Sequence, residues 1–240
     1  MRSDARGQHH VPLMLQDAFA TPGRGKKSQV HVYDKHSGRA FQTSPENILH
    51  QRDFNTFEQD GVTFCLEEGL GDIEDKAAPV LRRVIAERSL AGLDVEKRAV
   101  LSVFAALQRV RGVSTRAAML DIDRQIRNRL RRDGHDPDII PQLHGGDDPE
   151  QVKLSALMLV SRQLAAFAQA FATKVMLLVA AAPGETFLLG DTPVTLANHH
   201  DAGLNSNLGL DVEGIEIYLP IASDLTLAFW CPSLVGVLEA

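Results

Sequence analysis

The sequence predicts an α+β fold, with a mainly helical layer, an N-terminal β-hairpin and a small C-terminal antiparallel sheet. Three observations predict it. From Leu66 onward apolar residues recur every three or four positions for more than a hundred residues, the spacing that lines one face of a helix. Ahead of that stretch, Ser28–Tyr33 alternates polar and apolar residues and meets a turn. Behind it, Thr186–Leu189, Ile215–Leu219 and Leu225–Trp230 read as strands. The 240 residues are enough for one sizeable core, so residues 1–240 are read as a single domain.

The elements follow in chain order. Val11–Ala20 reads as a short helix, with Pro12 near its first turn and Leu15, Ala18 and Phe19 as an apolar edge. Ser28–Tyr33, the turn Asp34–Gly38 and Arg39–Gln42 make a hairpin. Ser44-Pro45-Glu46 is a helix start, with serine as cap and proline at the first helical position. Leu66, Leu70, Ile73, Ala77, Leu81, Val84 and Ile85 mark the next helix, and Pro79 inside it predicts a kink or two consecutive helices. Asp94 caps a helix running to about Arg111, with Leu101, Phe104 and Ala105 inward and with Gln108 and Arg111 on the same face. Ser114 is the expected cap of the following helix, which turns Met119, Ile122, Ile126 and Leu130 inward. Asp133–Asp148 is a loop, and Pro149–Ala182 is the longest helical candidate, ended by Pro183-Gly184. A final loop spans Asn198–Gly214.

Composition narrows the function classes. Hydrophobic residues at 44% and charged residues at 23% exclude wholesale disorder. A net charge of -6 excludes a global basic field that would recruit nucleic acid or anionic lipid. Cys65 and Cys231 lack metal-ligand spacing and are too few for a disulfide framework, which fits a reducing cytoplasm. The first residues hold no apolar run of the secretory type. Leu164–Ala182 is interrupted by Gln169, Thr173 and Lys174 and reads as core rather than membrane.

Seven short blocks occur in an order that resembles the bacterial family catalogued as domain of unknown function 4238. They are His9-His10-Val11-Pro12 with Leu15 and Phe19; Val32-Tyr33-Asp34-Lys35 with Gly38; Ser44-Pro45-Glu46-Asn47-Ile48; Ile73-Glu74 with Ala78-Pro79-Val80-Leu81; Gln108 with Arg111; Gly190-Asp191-Thr192-Pro193-Val194; and Leu219-Pro220-Ile221-Ala222 with Asp224-Leu225. The likeness covers nearly the whole chain and implies no reaction. Gly190 stands where the family pattern leads one to expect serine. Family members are expected to continue beyond Trp230 with another helix and strand, so the C-terminus reads as truncated or divergent, leaving the last sheet an exposed edge.

The sharp functional expectation is that His9, His10, Glu74, Gln108, Arg111 and Asp191 converge on one polar cleft. Imidazole and carboxylate exchange protons or ligate a divalent ion, and arginine stabilises negative charge on a phosphoryl or acyl group. That chemistry suits a small hydrolase of a phosphoester or other anionic substrate. The architectural alternative has the histidines satisfying backbone groups, Glu74 pairing with Arg111, and Asp191 shaping a turn. Neither a metal nor a cofactor is named by the sequence: His199-His200-Asp201 is a poor zinc pattern, and His135 and His144 sit in an acidic loop. Phosphate-cradling glycine fingerprints and a serine nucleophile elbow are absent from the sequence. Eight arginines between Arg109 and Arg132 face only Asp121 and Asp123. Arg116, Arg124, Arg127 and Arg131 therefore form a stripe able to grip phosphates, or a plain solvated helix face. The stripe leaves open a second class of function, a non-catalytic protein that recognises a macromolecule through its helical surface.

Overall fold

The computed structural model describes residues 7–23, 28–59, 61–140, 149–198, 200 and 207–238, and it is an α+β fold. The chain opens with β1 (Gly7–His9), α1 (Leu13–Asp17) and β2 (Thr21–Pro22). The hairpin β3 (Ser28–Asp34) and β4 (Arg39–Thr43) follows, closed at Gly38, whose φ of 68° is one that glycine adopts without strain. A 3-10 turn at Pro45–Asn47 leads to β5 (His50–Arg52), β6 (Thr56–Gln59) and β7 (Val62–Cys65). Then come α2 (Glu67–Glu87), α3 (Val95–Val110) and α4 (Val113–Arg132). After a second 3-10 turn at Pro137–Ile139, the chain continues with α5 (Pro149–Ala172), β8 (Val175–Ala180), β9 (Thr195–Asn198), β10 (Ile215–Ala222) and β11 (Leu225–Trp230). A 3-10 turn at Pro232–Leu234 and α6 (Val235–Leu238) follow Trp230.

The main sheet is antiparallel in the order β8-β11-β10-β9. Its inner face is set by the two-residue period of β10, which buries Ile215, Ile217, Leu219 and Ile221 while the residues between them stay half exposed. Central β11 buries nearly every side chain, as a strand covered on both faces does. Against this sheet pack Ala77, Leu81 and Val84 of α2, Leu101, Phe104 and Ala105 of α3, and Phe171 of α5. Phe171 meets Phe229 edge-on, with ring centroids 5.0 Å apart. Three smaller ladders, β1-β5, β2-β3-β4 and β6-β7, complete the N-terminal third.

Several elements differ from expectation. α1 is five residues long rather than spanning Val11–Ala20, because the His10 N–H still bonds Leu49 O at 3.0 Å and Pro12 is the cap rather than a first-turn residue. The Ser44 start gives only the 3-10 turn, and its hydroxyl bonds the Glu46 carboxylate instead of a backbone N–H. α2 runs unbroken through Pro79, which lies on its exposed side. Asp94 does cap α3, accepting from Lys97 N at 2.8 Å. The cap of α4 is Gly112, not Ser114.

The inward face of α4 is also not the one expected. Ile122 and Ile126 are 57% and 42% exposed, whereas Arg127 is buried. Arg116 and Arg127 stand eleven residues apart, close to three full turns, and so share a face. Arg127 bonds Asp123 at 2.8 Å and Asp138 at 2.6 Å, while Arg116 reaches Phe54. These polar anchors, not the isoleucines, set the rotation of the helix. The predicted helix to Ala182 stops at Ala172, and Val175–Ala180 is an edge strand paired with β11. An unbroken apolar run of six carries no period that separates helix from strand. Within α5, Lys153–Ala172 is long and apolar enough to cross a membrane, yet Leu157, Val160, Ala168 and Phe171 pack inward. Thr186–Leu189 is irregular, held by one bond from Phe187 N to Ser223 O at 2.7 Å, and the additional strand is β9. The C-terminal sheet ends on β8 and β9, so its last strand in sequence, β11, is flanked on both sides. Residues 141–148, 199 and 201–206 of the Asp133–Asp148 and Asn198–Gly214 loops, which include His144, His199 and Asp201, lie outside the described residues.

Candidate functional site

Short ladders bring the opening histidines to the helical layer. β1 pairs antiparallel with β5, setting His9 opposite His50, and the tilted rings of the two histidines lie 5.2 Å apart. Behind them Gln8 is buried. Its carbonyl oxygen accepts from Asn55 N at 2.5 Å, and its amide donates to Thr56 Oγ1 at 2.9 Å. These bonds hold β1 against the chain entering β6.

Arg111 joins that segment to the helices. It follows directly on the last residue of α3, is 3% exposed, and donates from Nε to the main-chain carbonyl of His10 at 3.1 Å. Its Nη1 is paired with the Glu74 carboxylate of α2. Gln108, one turn earlier on α3, is 1% exposed. Asp191 is exposed, and its backbone carbonyl lies beside Gly112 at the start of α4. Its charge acts on the His10 imidazole. His10, Glu74 and Arg111 are thus bonded together, with His9 next in β1, Gln108 buried one turn before Arg111, and Asp191 exposed. The Glu74–Arg111 pair is the one that the architectural reading called for.

Several of these side chains keep buried polar atoms without a partner, as do Gln16 and Trp230 elsewhere. His9 Nε2, His10 Nδ1, both polar atoms of the Gln108 amide, Arg111 Nη2 and Ser114 Oγ are buried without a hydrogen-bond partner among the described residues. Native interiors satisfy the great majority of such groups with protein, water or ligand. Both histidines are held toward the neutral form. Burial pushes His10 down to about 4, reinforced by the Arg111 guanidinium and only partly opposed by Asp191. Burial and the neighbouring His50 lower His9 as well. Glu74 is raised, because burial outweighs the attraction of Arg111.

Sequence reasoning placed Arg116 in a surface stripe, but it belongs to this site. Its guanidinium carbon lies 3.4 Å from the Phe54 ring centroid, and the same ring is 5.4 Å from that of His10. Nη2 of Arg116 donates to Asn55 Oδ1 at 3.3 Å, and Asn55 in turn donates to Glu67 at 2.5 Å. Asn55, Arg111 and Arg116 line the polar end of a narrow crevice whose other walls are Leu66, Leu70, Val110, Leu157 and Val160. It is too tight for a water molecule. His50, Phe54 and Asn55 were invisible in the sequence, since single residues of these types repeat no pattern. The rest of the basic stripe is dispersed: Arg127 is buried in its ion pairs, and Arg129 meets Asp133 at 2.9 Å. Among the described residues no three His, Cys, Asp or Glu side chains cluster as metal ligands would. His135 and His200 are both exposed and outside the cluster around Arg111.

This is an α+β chain whose first strand is fastened to a buried arginine between two helices. The chain belongs to the family described as "Protein of unknown function (DUF4238)", whose profile matches residues 7–236. No curated protein and no solved structure matches it.

Proposed function

We propose that this chain is a cytoplasmic hydrolase of a phosphoester or other anionic substrate, with His9 and His10 in proton transfer and Arg111 as the electrostatic partner. The observation that supports it is the concentration of buried, unpaired polar atoms on His9, His10, Gln108 and Arg111. In this reading a neutral imidazole accepts a proton from water as the water oxygen attacks the phosphorus or carbonyl centre. The resulting imidazolium returns that proton to the leaving oxygen. Arg111 Nη2 faces the charge that develops on the attacked group. An imidazole held near 4 is a weak base, and a bound anion corrects this: by neutralising the guanidiniums around His10 it lifts the basicity they suppress.

Turnover of phosphomonoester, phosphodiester and carboxyl-ester substrates by the purified full-length chain tests the reading. His10→Ala is expected to reduce turnover by about 100-fold or more, and Arg124→Ala to leave it unchanged. Equal rates in wild type and His10→Ala, or no turnover of any of these esters, would overturn the proposal.

A second reading is supported by a separate observation, the exposed Ile122 and Ile126 on the arginine-rich α4. If α4 recognises a macromolecule, Arg124→Glu with Arg131→Glu weakens partner binding and His10→Ala does not.

A further inference from the structure

We infer that Arg116, with Asn55 and Arg111, forms a binding site for a single monoanionic oxyanion, the group by which this protein recognises its ligand. The inference rests on the polar-site reading above and adds to it the part of the ligand that is gripped.

Arg116 is a charge that the neighbouring acids leave unbalanced among the described residues. Arg111 is neutralised by Glu74, Arg127 by Asp123 and Asp138, and Arg129 by Asp133. Arg116 is packed against Phe54 and has one hydrogen bond, to the neutral Asn55 amide, with no carboxylate paired to it among the described residues. Glu67 accepts from the amide nitrogen of the same Asn55. A guanidinium removed from water without a counter-charge is costly, and proteins seldom keep one unless a partner arrives. Its burial alone pulls its basicity down to about 10.

Arg111 supplies a second donor. Two of its nitrogens are engaged by His10 O and Glu74, and its remaining amino group, Nη2, is buried and unpaired in a residue that is almost wholly enclosed. Arg111 and Arg116 line one crevice. A carboxylate or a phosphodiester oxygen pair suits planar guanidinium donors, and one negative charge balances the Arg116 guanidinium. The crevice is too narrow to hold the anion as it stands, so binding requires its walls to part. The aliphatic walls favour an anion carried on an apolar body.

The test is titration of the folded full-length chain with sodium acetate and with dimethyl phosphate, followed by calorimetry and by the NMR signals of His10. Saturable binding of either anion is expected, together with a rise in the His10 titration midpoint when the site is filled. Arg116→Gln should weaken binding about ten-fold or more, whereas Arg124→Gln should not change it. Should Arg116→Gln fail to fold, Arg116→Lys keeps the charge but not the fork, and a clear loss of affinity is again expected. Binding that persists while ester turnover is absent leaves this site standing and removes the hydrolase. If neither anion saturates wild type, or if a folded Arg116 variant binds as wild type does, the inference is wrong.

Discussion

Arg111 works on two neighbours at once, and its removal separates fastening from chemistry. Arg111→Met takes the guanidinium partner from a partly buried Glu74 carboxylate and releases the His10 carbonyl. A loss of about 3 kcal/mol is expected, read from urea denaturation, with part of it recovered in Arg111→Met/Glu74→Leu. His10 carries a pH signature. Its folded-state pKa near 4 lies below the ordinary 6.5, so the unfolded chain binds the proton first as pH falls. The stability present above pH 6.5 is therefore lost progressively down to pH 4. Glu74 acts in the opposite sense, because a raised carboxyl takes up its proton in the folded state first. The comparison that isolates His10 is wild type against His10→Gln. Between pH 7.5 and 4.5 wild type should lose about 2–3 kcal/mol more than the variant, and parallel curves would contradict the burial of this imidazole.

At the level of elements, helix faces are fixed by what anchors them. α3 shows the ordinary case, in which a periodic apolar stripe lies on the main sheet, and Leu101→Ala is expected to cost about 2–5 kcal/mol. α4 shows the other case. Ile122→Lys, on its exposed side, should change stability by less than about 0.5 kcal/mol, although the sequence pattern assigned that residue to the core. Measuring both by chemical denaturation checks the orientation of α4 directly. Pro79 offers a third comparison. It sits within α2 without a backbone N–H to give, so Pro79→Ala should raise the denaturation midpoint, by an amount of order 1–3 kcal/mol.

Across the whole molecule, the elements legible in the sequence are those with a long period and a packed face: the β3–β4 hairpin, α2, α3 and the β10–β11 pair. β1 and β5 are three residues each, too short to show alternation, and the apolar run of β8 is equally compatible with helix. For the site, the His9-His10 pair, Glu74, Gln108 and Arg111 stood out by residue type, by helical spacing and by the family resemblance. The Phe54–Arg116–Asn55 arrangement did not, because it depends on a rotation of α4 that its own apolar pattern misstates. Native-state hydrogen exchange should reflect the same hierarchy, with the slowest amides in α3, β10 and β11 and faster exchange in β6–β7, which packs at the margin of the core. The clasp between residues 10 and 111, set 101 positions apart, has a practical outcome. Because the guanidinium seizes a peptide oxygen that every amino acid possesses, a changed side chain at position 10 leaves this particular clasp on the leading strand in place.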